Sequence, residues 1–349
     1  MTRAAPVAVR AARPGEGTAL AALWRELWDA HEQWGGYPAS HDARVYAQVA
    51  AKLDQDARAR AGHALLGRHA HFVADFGAGP CGQVEGWLDR LGASNASPIT
   101  CEVRSLIVGG AARHRGAGRA LLDALARVTQ EAANGSSCVL AAEVLEPNPA
   151  REFYSRVGYA VVSWAARLEA PPGAIPRGSA VTARMAMPHD ALAIARLEAV
   201  LAERRHAAGD ARYDPPSAVD ATVASTIAAQ MAAQSATRGR HAPERSSATV
   251  VAVDGAGVVR GVASAAVQLL EPPFLPIRRA LIGRFALDPA CRARPVVQAI
   301  VAWGCRWAAS QGAHYAELTD LSAPGTELYD AALAIGARPW SRLVIRVID

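Results

Sequence analysis

The chain has 349 residues, 51% of them hydrophobic and 20% charged, enough apolar material for a sizeable core and, at about 150 residues per domain, the length of two domains. With that much apolar material disorder is not expected, and the net +5 from 37 Lys and Arg against 32 Asp and Glu is spread along the sequence and falls short of the basic runs that coat nucleic acid. No stretch of about 18 uncharged apolar residues occurs, so no helical membrane span is expected, and Met1 to Leu27 reads without a secretory signal.

The five cysteines, at 81, 101, 138, 291 and 305, make an odd set without a C-x-x-C pair, which argues against a disulfide framework and against a structural metal site and favours a cytoplasmic home. Lys52 is the one lysine among 37 cations, so the abundance of Ala, Arg and Gly reads as compositional bias. Ala-rich stretches are therefore discounted as evidence for helices.

In chain order, Val7–Arg10 reads as a strand, Pro14-Gly15-Glu16 as a helix start, and Leu20, Leu23, Trp24, Leu27 and Trp28 as the apolar stripe that follows. His71–Phe76 and Gly82–Leu88 form a predicted hairpin about Gly77-Ala-Gly-Pro80, and Glu102–Val108 alternates like a further strand. Helical spacing of Leu121, Leu122, Leu125 and Val128 comes next, then the strand Val139–Glu143. A Pro- and Gly-rich seam, Glu169 to Ser179, divides the chain near its midpoint. Beyond it the same order recurs: Val181–Met187 as a strand, Pro188-His-Asp190 as a helix start, Ile194, Leu197 and Leu201 as the stripe. Pro188 against Pro14 and Arg292 against Arg113 keep two copies in near register, the mark of an internal duplication.

Chemistry concentrates where Leu106-Ile-Val108 runs through Gly109-Gly-Ala-Ala-Arg113-His-Arg-Gly116-Ala-Gly118-Arg-Ala into Leu121-Leu122. A strand that turns through glycines into a helix exposes unpaired N–H groups at the positive end of the helix dipole, and glycines let an anion such as a diphosphate approach them. No Gly-Lys-Ser/Thr ending is present, so this is not a P-loop.

Arg113-x-x-Gly116-x-Gly118 after a strand resembles the acyl-coenzyme A signature of the GCN5-related N-acetyltransferase superfamily. Asn148-Pro-Ala-Arg-Glu-Phe-Tyr154-Ser-Arg-Val-Gly158-Tyr159 is similar to that family's segment after its fifth strand, and the element order extends the resemblance over nearly the whole chain. It implies an α/β (α+β) fold of two tandem domains, residues 1–172 and 180–349, each a mixed, mostly antiparallel sheet flanked by helices. It further implies that the backbone of Leu106, Ile107 and Val108 pairs with pantetheine, Val108 N–H facing the thioester carbonyl, while Arg113, His114, Arg115, Gly116, Ala117, Gly118 and Arg119 hold the pyrophosphate of acetyl-CoA. Tyr154 takes the place of the acid that protonates the thiolate. Asn148 is a candidate cofactor contact one residue later than the family's asparagine. The acceptor amine arrives protonated and needs a base: Glu102 at the head of the fourth strand, with Glu85 and Glu143 as alternatives.

Trp24, Trp28, His31 and Trp34 at helical spacing read first as core, though their faces would suit a cationic acceptor, and His63, His69 and His71 read as solvated histidines at a strand edge. In the second copy Ala286-Leu-Asp-Pro289-Ala-Cys-Arg292 keeps the frame, but Pro295 stands for Gly116 and Val297 for Gly118. The expectation is a second domain that no longer holds coenzyme A. The whole is then expected to be a cytoplasmic N-acetyltransferase, monomer or homodimer, moving acetyl from acetyl-CoA to a primary amine of a small molecule. Without long charged grooves no nucleic-acid or membrane partner is expected. A protein N-terminal or lysine acetyltransferase and a non-catalytic coenzyme A-binding module are the alternatives.

Overall fold

Glu16 and Asp42 begin the first two helices. In the computed structural model, which describes residues 6–63, 65–90, 98–169, 181–213, 225–229, 245–270 and 272–348, the first strand β1 (Ala8–Ala11) leads into α1 (Gly17–Gln33) and α2 (Ala43–Arg60). The predicted stripe of α1 is buried at Leu20, Leu23 and Trp28. No strong apolar periodicity announces α2, whose large apolar residues are few. Its start is a side-chain cap, Asp42 Oδ1 accepting from Arg44 N–H at 2.8 Å. Leu53 and Ala57 then close a small core with Leu20, Leu23, Val73 and Ile107.

The chain continues through β2 (Leu65–Leu66), β3 (His69–Asp75), β4 (Pro80–Arg90) and β5 (Ile99–Val108), crosses over by α3 (Ala117–Ala133) to β6 (Cys138–Leu145), and reaches α4 (Arg151–Arg156) and β7 (Ala160–Leu168). β1, β3, β4 and β5 pair antiparallel in that order, and β6 joins β5 in parallel. A parallel neighbour requires a crossover, and α3 supplies it. Leu121, Leu122 and Leu125 of α3 are fully buried against one face of the sheet, each contributing about 1.5 to 3 kcal/mol by burial. The helices α1 and α2 lie on the other face.

The second half repeats the order: β8 (Val181–Met185), α5 (Ala191–Ala207), β9 (Arg245–Asp254), β10 (Val259–Leu269), β11 (Arg278–Leu287), α6 (Ala293–Ser310), β12 (Tyr315–Leu321), α7 (Glu327–Ala334) and β13 (Arg338–Ile348). Here β8, β9, β10 and β11 are antiparallel and β12 is parallel to β11. Val296, Val297, Ile300 and Val301 of α6 pack into one cluster with Ile282, Phe285 and Leu318. The fold is thus mixed α/β, twice, as expected.

The seam at 171–179 lies outside the described residues. By packing, the chain forms two units: Met1–Ala160 with Glu271–Leu275 and Val344–Asp349, and Val161–Leu270 with Pro276–Leu343. Each takes residues from both sides of the seam. β7 pairs antiparallel with β12 through Ala316↔Leu168 and Leu318↔Ala166, which places Val161–Leu168 in the second unit. In the first unit the C-terminal residues are tied by Arg346 Nη1 to Asp123 Oδ1 at 2.9 Å.

Gly86 of β4 tests the packing of α3. A Cβ there would lie 2.6 Å from Leu125 Cδ1 and 2.7 Å from Cys101 Sγ, so Gly86→Val must displace buried neighbours. Chemical denaturation should show a loss of about 1 to 3 kcal/mol; unchanged stability would mean that α3 does not press on β4.

Candidate active site

The site begins with an irregularity in β5. Register between β4 and β5 shifts between Gln83 and Glu85, opposite Ser105, which carries φ +57°. An extra residue with a left-handed backbone bends the strand and redirects its edge. Parallel pairing of β5 with β6 accordingly runs from Ile99↔Cys138 to Val103↔Ala142 and ends there. Gly109 N–H donates to Cys81 O of β4 at 2.9 Å, and because successive N–H groups of a strand point to opposite edges, Val108 N–H points to the opened side. The bulge and the opening therefore fall at Ser105–Val108.

Below the opening, Arg113 is extended, His114 has φ +61° and Gly116 φ +88°, and α3 starts at Ala117 without any side-chain cap. Gly116 is needed for its conformation, since nothing lies within 4 Å of where its Cβ would be. Gly118 is needed for space: a Cβ there would stand 3.2 Å from Phe153 Cζ. The N–H groups of the first turn of α3, uncapped by side chains, face outward at the positive pole of a 17-residue helix. The arginines of the loop are engaged elsewhere. Arg113 Nε donates to Val108 O at 3.0 Å and its Nη2 lies 3.6 Å from Glu26, which also accepts from Gly110 N–H at 3.1 Å. The Arg115 guanidinium covers the Phe76 ring at 3.8 Å, and Arg119 lies 3.9 Å from Asp123.

Tyr154 of α4 is buried, edge-on to Phe153 and Tyr159 at 5.5 and 5.3 Å. Burial raises its phenol above the ordinary value, so the hydroxyl keeps its proton. Asn148 is half-buried, and its Oδ1 accepts from Ala150 N–H at 2.8 Å, holding the start of α4. Glu102 is exposed on β5 and pairs with Arg104 at 2.9 Å. Glu143 is exposed on β6. Glu85 differs from both: burial alone would raise its carboxyl, but the His69 hydrogen bond and the charges of His71, His69 and Arg60 outweigh burial and hold it below the ordinary range.

The histidines overturn one expectation. His63 is exposed as expected, but His71 is fully buried and His69 mostly so, because β3 lies between β1 and β4 with α2 over this face. Arg60, a donor only, reaches His69 Nδ1 at 2.7 Å, which leaves the ring proton on Nε2, 3.5 Å from Glu85 Oε2. Gln83 Nε2 donates to Leu20 O at 3.0 Å, so its oxygen receives His71 Nε2–H, also at 3.0 Å. Among the described residues no group of three or more His, Cys, Asp or Glu could hold a metal ion.

The second unit retains the bulge but not the loop. Arg284 has φ +56°, register between β10 and β11 shifts between Val262 and Ser264, and β11–β12 pairing ends at Ile282↔Leu318. Arg292 is extended like Arg113, yet α6 starts at once with Ala293. Pro295 falls in the first turn, where its missing N–H costs little. Ala293 N–H is taken by Glu327 Oε1 at 2.7 Å. Arg205, almost fully buried, donates to Val162 O at 3.0 Å and to Asp320 O. Neither Glu327 nor Arg205 had a local signal in the sequence, since their partners lie 34 residues or more away.

Among the aromatic residues of α1, Trp28 is core, as first read. His31 stands with Trp34, Tyr37 and Phe274 at ring distances of 5.4, 6.0 and 6.2 Å. Burial lowers its imidazole to about 4, against about 6.5 when unperturbed. Between those values the unfolded chain binds a proton that the folded one does not, so stability falls as pH drops through this window. Denaturation at about pH 7.5 and about pH 4.5 should show that His31→Gln removes about 2 kcal/mol of that loss. Equal losses in both proteins would show that His31 is not desolvated.

Residues 67–161 match the family model for the acetyltransferase (GNAT) domain. No curated protein matches the sequence. Among solved structures, a tandem GNAT protein from the clavulanic acid biosynthesis pathway is 16% identical, with a TM-score of 0.50 over 98% of this chain and 99% of that one. A GCN5-related N-acetyltransferase from Sphaerobacter thermophilus is 15% identical, with a TM-score of 0.56 over 98% and 96%. A glucosamine N-acetyltransferase region in a fungal multi-domain GH3 β-N-acetylglucosaminidase is 13% identical, with a TM-score of 0.52 over 99% of this chain and 38% of that one. At such identities the likeness is one of fold. Residues 67–161 are thus similar to the GNAT acetyltransferase domain, and the chain as a whole shares the fold of these GNAT proteins, the tandem one included.

Proposed function

We propose that the chain transfers the acetyl group of acetyl-CoA to a primary amine of a small-molecule acceptor, by direct attack while both are bound, and that residues 1–172 hold the working site and residues 180–349 a degenerate copy. The reading rests on one contrast. In the first unit the opening at Val108 leads to an uncapped helix start behind the left-handed Gly116, whereas in the second the helix begins three residues earlier, at Ala293, and its first N–H is already occupied by Glu327. The free thiols of all five cysteines suit a reducing, cytoplasmic setting.

An acyl thioester supplies an electrophilic carbonyl and a thiolate leaving group. Ala117, Gly118 and Arg119 would offer their N–H groups to the diphosphate, with His114 and Arg115 contributing backbone, and Leu106 to Val108 would pair with the amide-bearing arm. Glu102 takes the proton of the incoming ammonium, directly or through water, and frees the nitrogen lone pair to form the new C–N bond. Val108 N–H meets the carbonyl oxygen as that oxygen gains charge. As the C–S bond breaks, the Tyr154 hydroxyl gives its proton to the sulfur and recovers one, through water, from the nitrogen, which sheds its second proton to become the neutral amide; the raised pKa of Tyr154 keeps it protonated at neutral pH. Asn148, whose oxygen already accepts from Ala150 N–H, has its amide N–H groups to offer.

Calorimetry should give one acetyl-CoA per chain, and Gly116→Pro should weaken it by at least about 1.5 to 3 kcal/mol, because proline removes an N–H from the turn and cannot adopt the left-handed φ of +88° that shapes it. Two sites per chain, or unaltered affinity, would refute the assignment.

Thiol release with a panel of amines tests the chemistry. Tyr154→Phe should reduce kcat about 10² to 10⁴ fold with little change in cofactor affinity. Glu102→Gln should slow the reaction most near neutral pH and recover in part at high pH, where the amine is already free. A wild-type rate in the first, or a wild-type profile in the second, would reassign that role.

A further inference from the structure

The face of the sheet beneath α1 and α2 carries one large aromatic side chain that is not covered. Trp87 of β4 is 43% exposed, and its cross-strand partner on β5 is Glu102. Directly paired residues of an antiparallel ladder stand on the same face with Cβ atoms about 5 Å apart. An exposed indole therefore adjoins the carboxylate assigned above to the incoming ammonium. His69, the partner of Trp87 on β3, stacks on the indole at 4.8 Å and 22°. That imidazole is itself held by Arg60 and Glu85, so the ring system is braced from the β3 side while its other face is turned toward β5.

What occupies that face is a cation. The Arg104 guanidinium lies 5.7 Å from the indole centroid and donates to Glu102 at 2.9 Å. Carboxylate and indole face together satisfy a positive charge by ion pairing and by attraction to the ring quadrupole. The arginine is loosely kept there: both members of the pair are more than half exposed, and exposed pairs of this kind contribute little. A second cation of suitable reach can replace it.

We propose that Glu102 and Trp87 form the cation subsite for the acceptor, which is a cationic amine, and that Arg104 is the internal placeholder it displaces. The proposal rests on the acyltransferase reading but makes a claim about binding that stands apart from turnover. The site selects an ammonium presented on an apolar or aromatic body, which spreads over the indole while the nitrogen meets Glu102. It disfavours amines that are neutral at physiological pH.

Benzyltrimethylammonium is the probe, because it carries the charge and the apolar body but has no N–H to be acetylated. Titrated calorimetrically into the full chain at roughly 0.2 M salt, where distant charges are screened, it should bind more tightly to Arg104→Gln than to the wild type, by about threefold. Trp87→Leu should weaken it about tenfold, with Trp87→Phe between the two. In thiol-release assays the KM of benzylamine should follow the same order, changing more than kcat, while the KM of aniline should not. Equal affinity of wild type and Arg104→Gln, or of wild type and Trp87→Leu, would overturn the subsite. If the quaternary ammonium binds in the expected order and no amine is acetylated, the acyl-transfer reading fails and the cation subsite stands. If amines are acetylated with a KM indifferent to both residues, the reverse holds.

Discussion

The left-handed residue at Ser105 governs the first unit. Once β5 bends there, its edge can no longer follow β6, and the N–H and C=O groups beyond Val103 lose the partners that a continuous parallel ladder would provide. Backbone groups left in this way must find something else to bond. Everything that follows in the chain, the turn at Gly109, the loop to Gly116 and the start of α3, is arranged around an edge that the sheet itself does not satisfy.

The second unit meets the same constraint with different means. Arg284 reproduces the left-handed bend, and the pairing of β11 with β12 ends at the corresponding place. Its own side chains then close the gap. Thr319 packs directly on Gly283, Arg205 bonds two carbonyls on β7 and β12, and Glu327 takes the first free N–H of α6. The ion pairs in this region balance: Arg284 with Glu198 and Arg212 with Asp210. Two copies of one bend thus differ in the side chains set around it, Arg113 on Val108 O in the first unit and Thr319, Arg205 and Glu327 in the second.

Charge in the first unit is polarised along this opening. The start of α3 presents positive backbone dipole, while the outer face of β4 and β5 presents Glu102 beside an indole. Beneath lies a buried polar layer of Arg60, His69, His71, Gln83 and Glu85 in which the donor-only guanidinium and the amide of Gln83 dictate both imidazole tautomers. Such a layer is costly to bury and specifies one arrangement of its rings. The consequence at the surface is a fixed orientation for Trp87.

The sequence by itself determined the duplicated order of strands and helices, because side-chain periods of two and 3.6 and the Pro and Gly breaks are local properties of neighbouring residues. It also placed the glycine loop, since Gly116 and Gly118 answer to a backbone angle and to a close approach within a single strand-to-helix turn. It did not reveal α2, whose start depends on one aspartate and whose alanines carry no periodic signal. Nor could it show that His71 is buried, that Trp87 stands beside Glu102, or that Glu327 closes the second helix start. Those are matters of register and of packing between segments distant in the chain. A one-residue slip of β4 against β5 would leave every local pattern intact and send Trp87 to the opposite face, so only the assembled sheet decides which side chains meet.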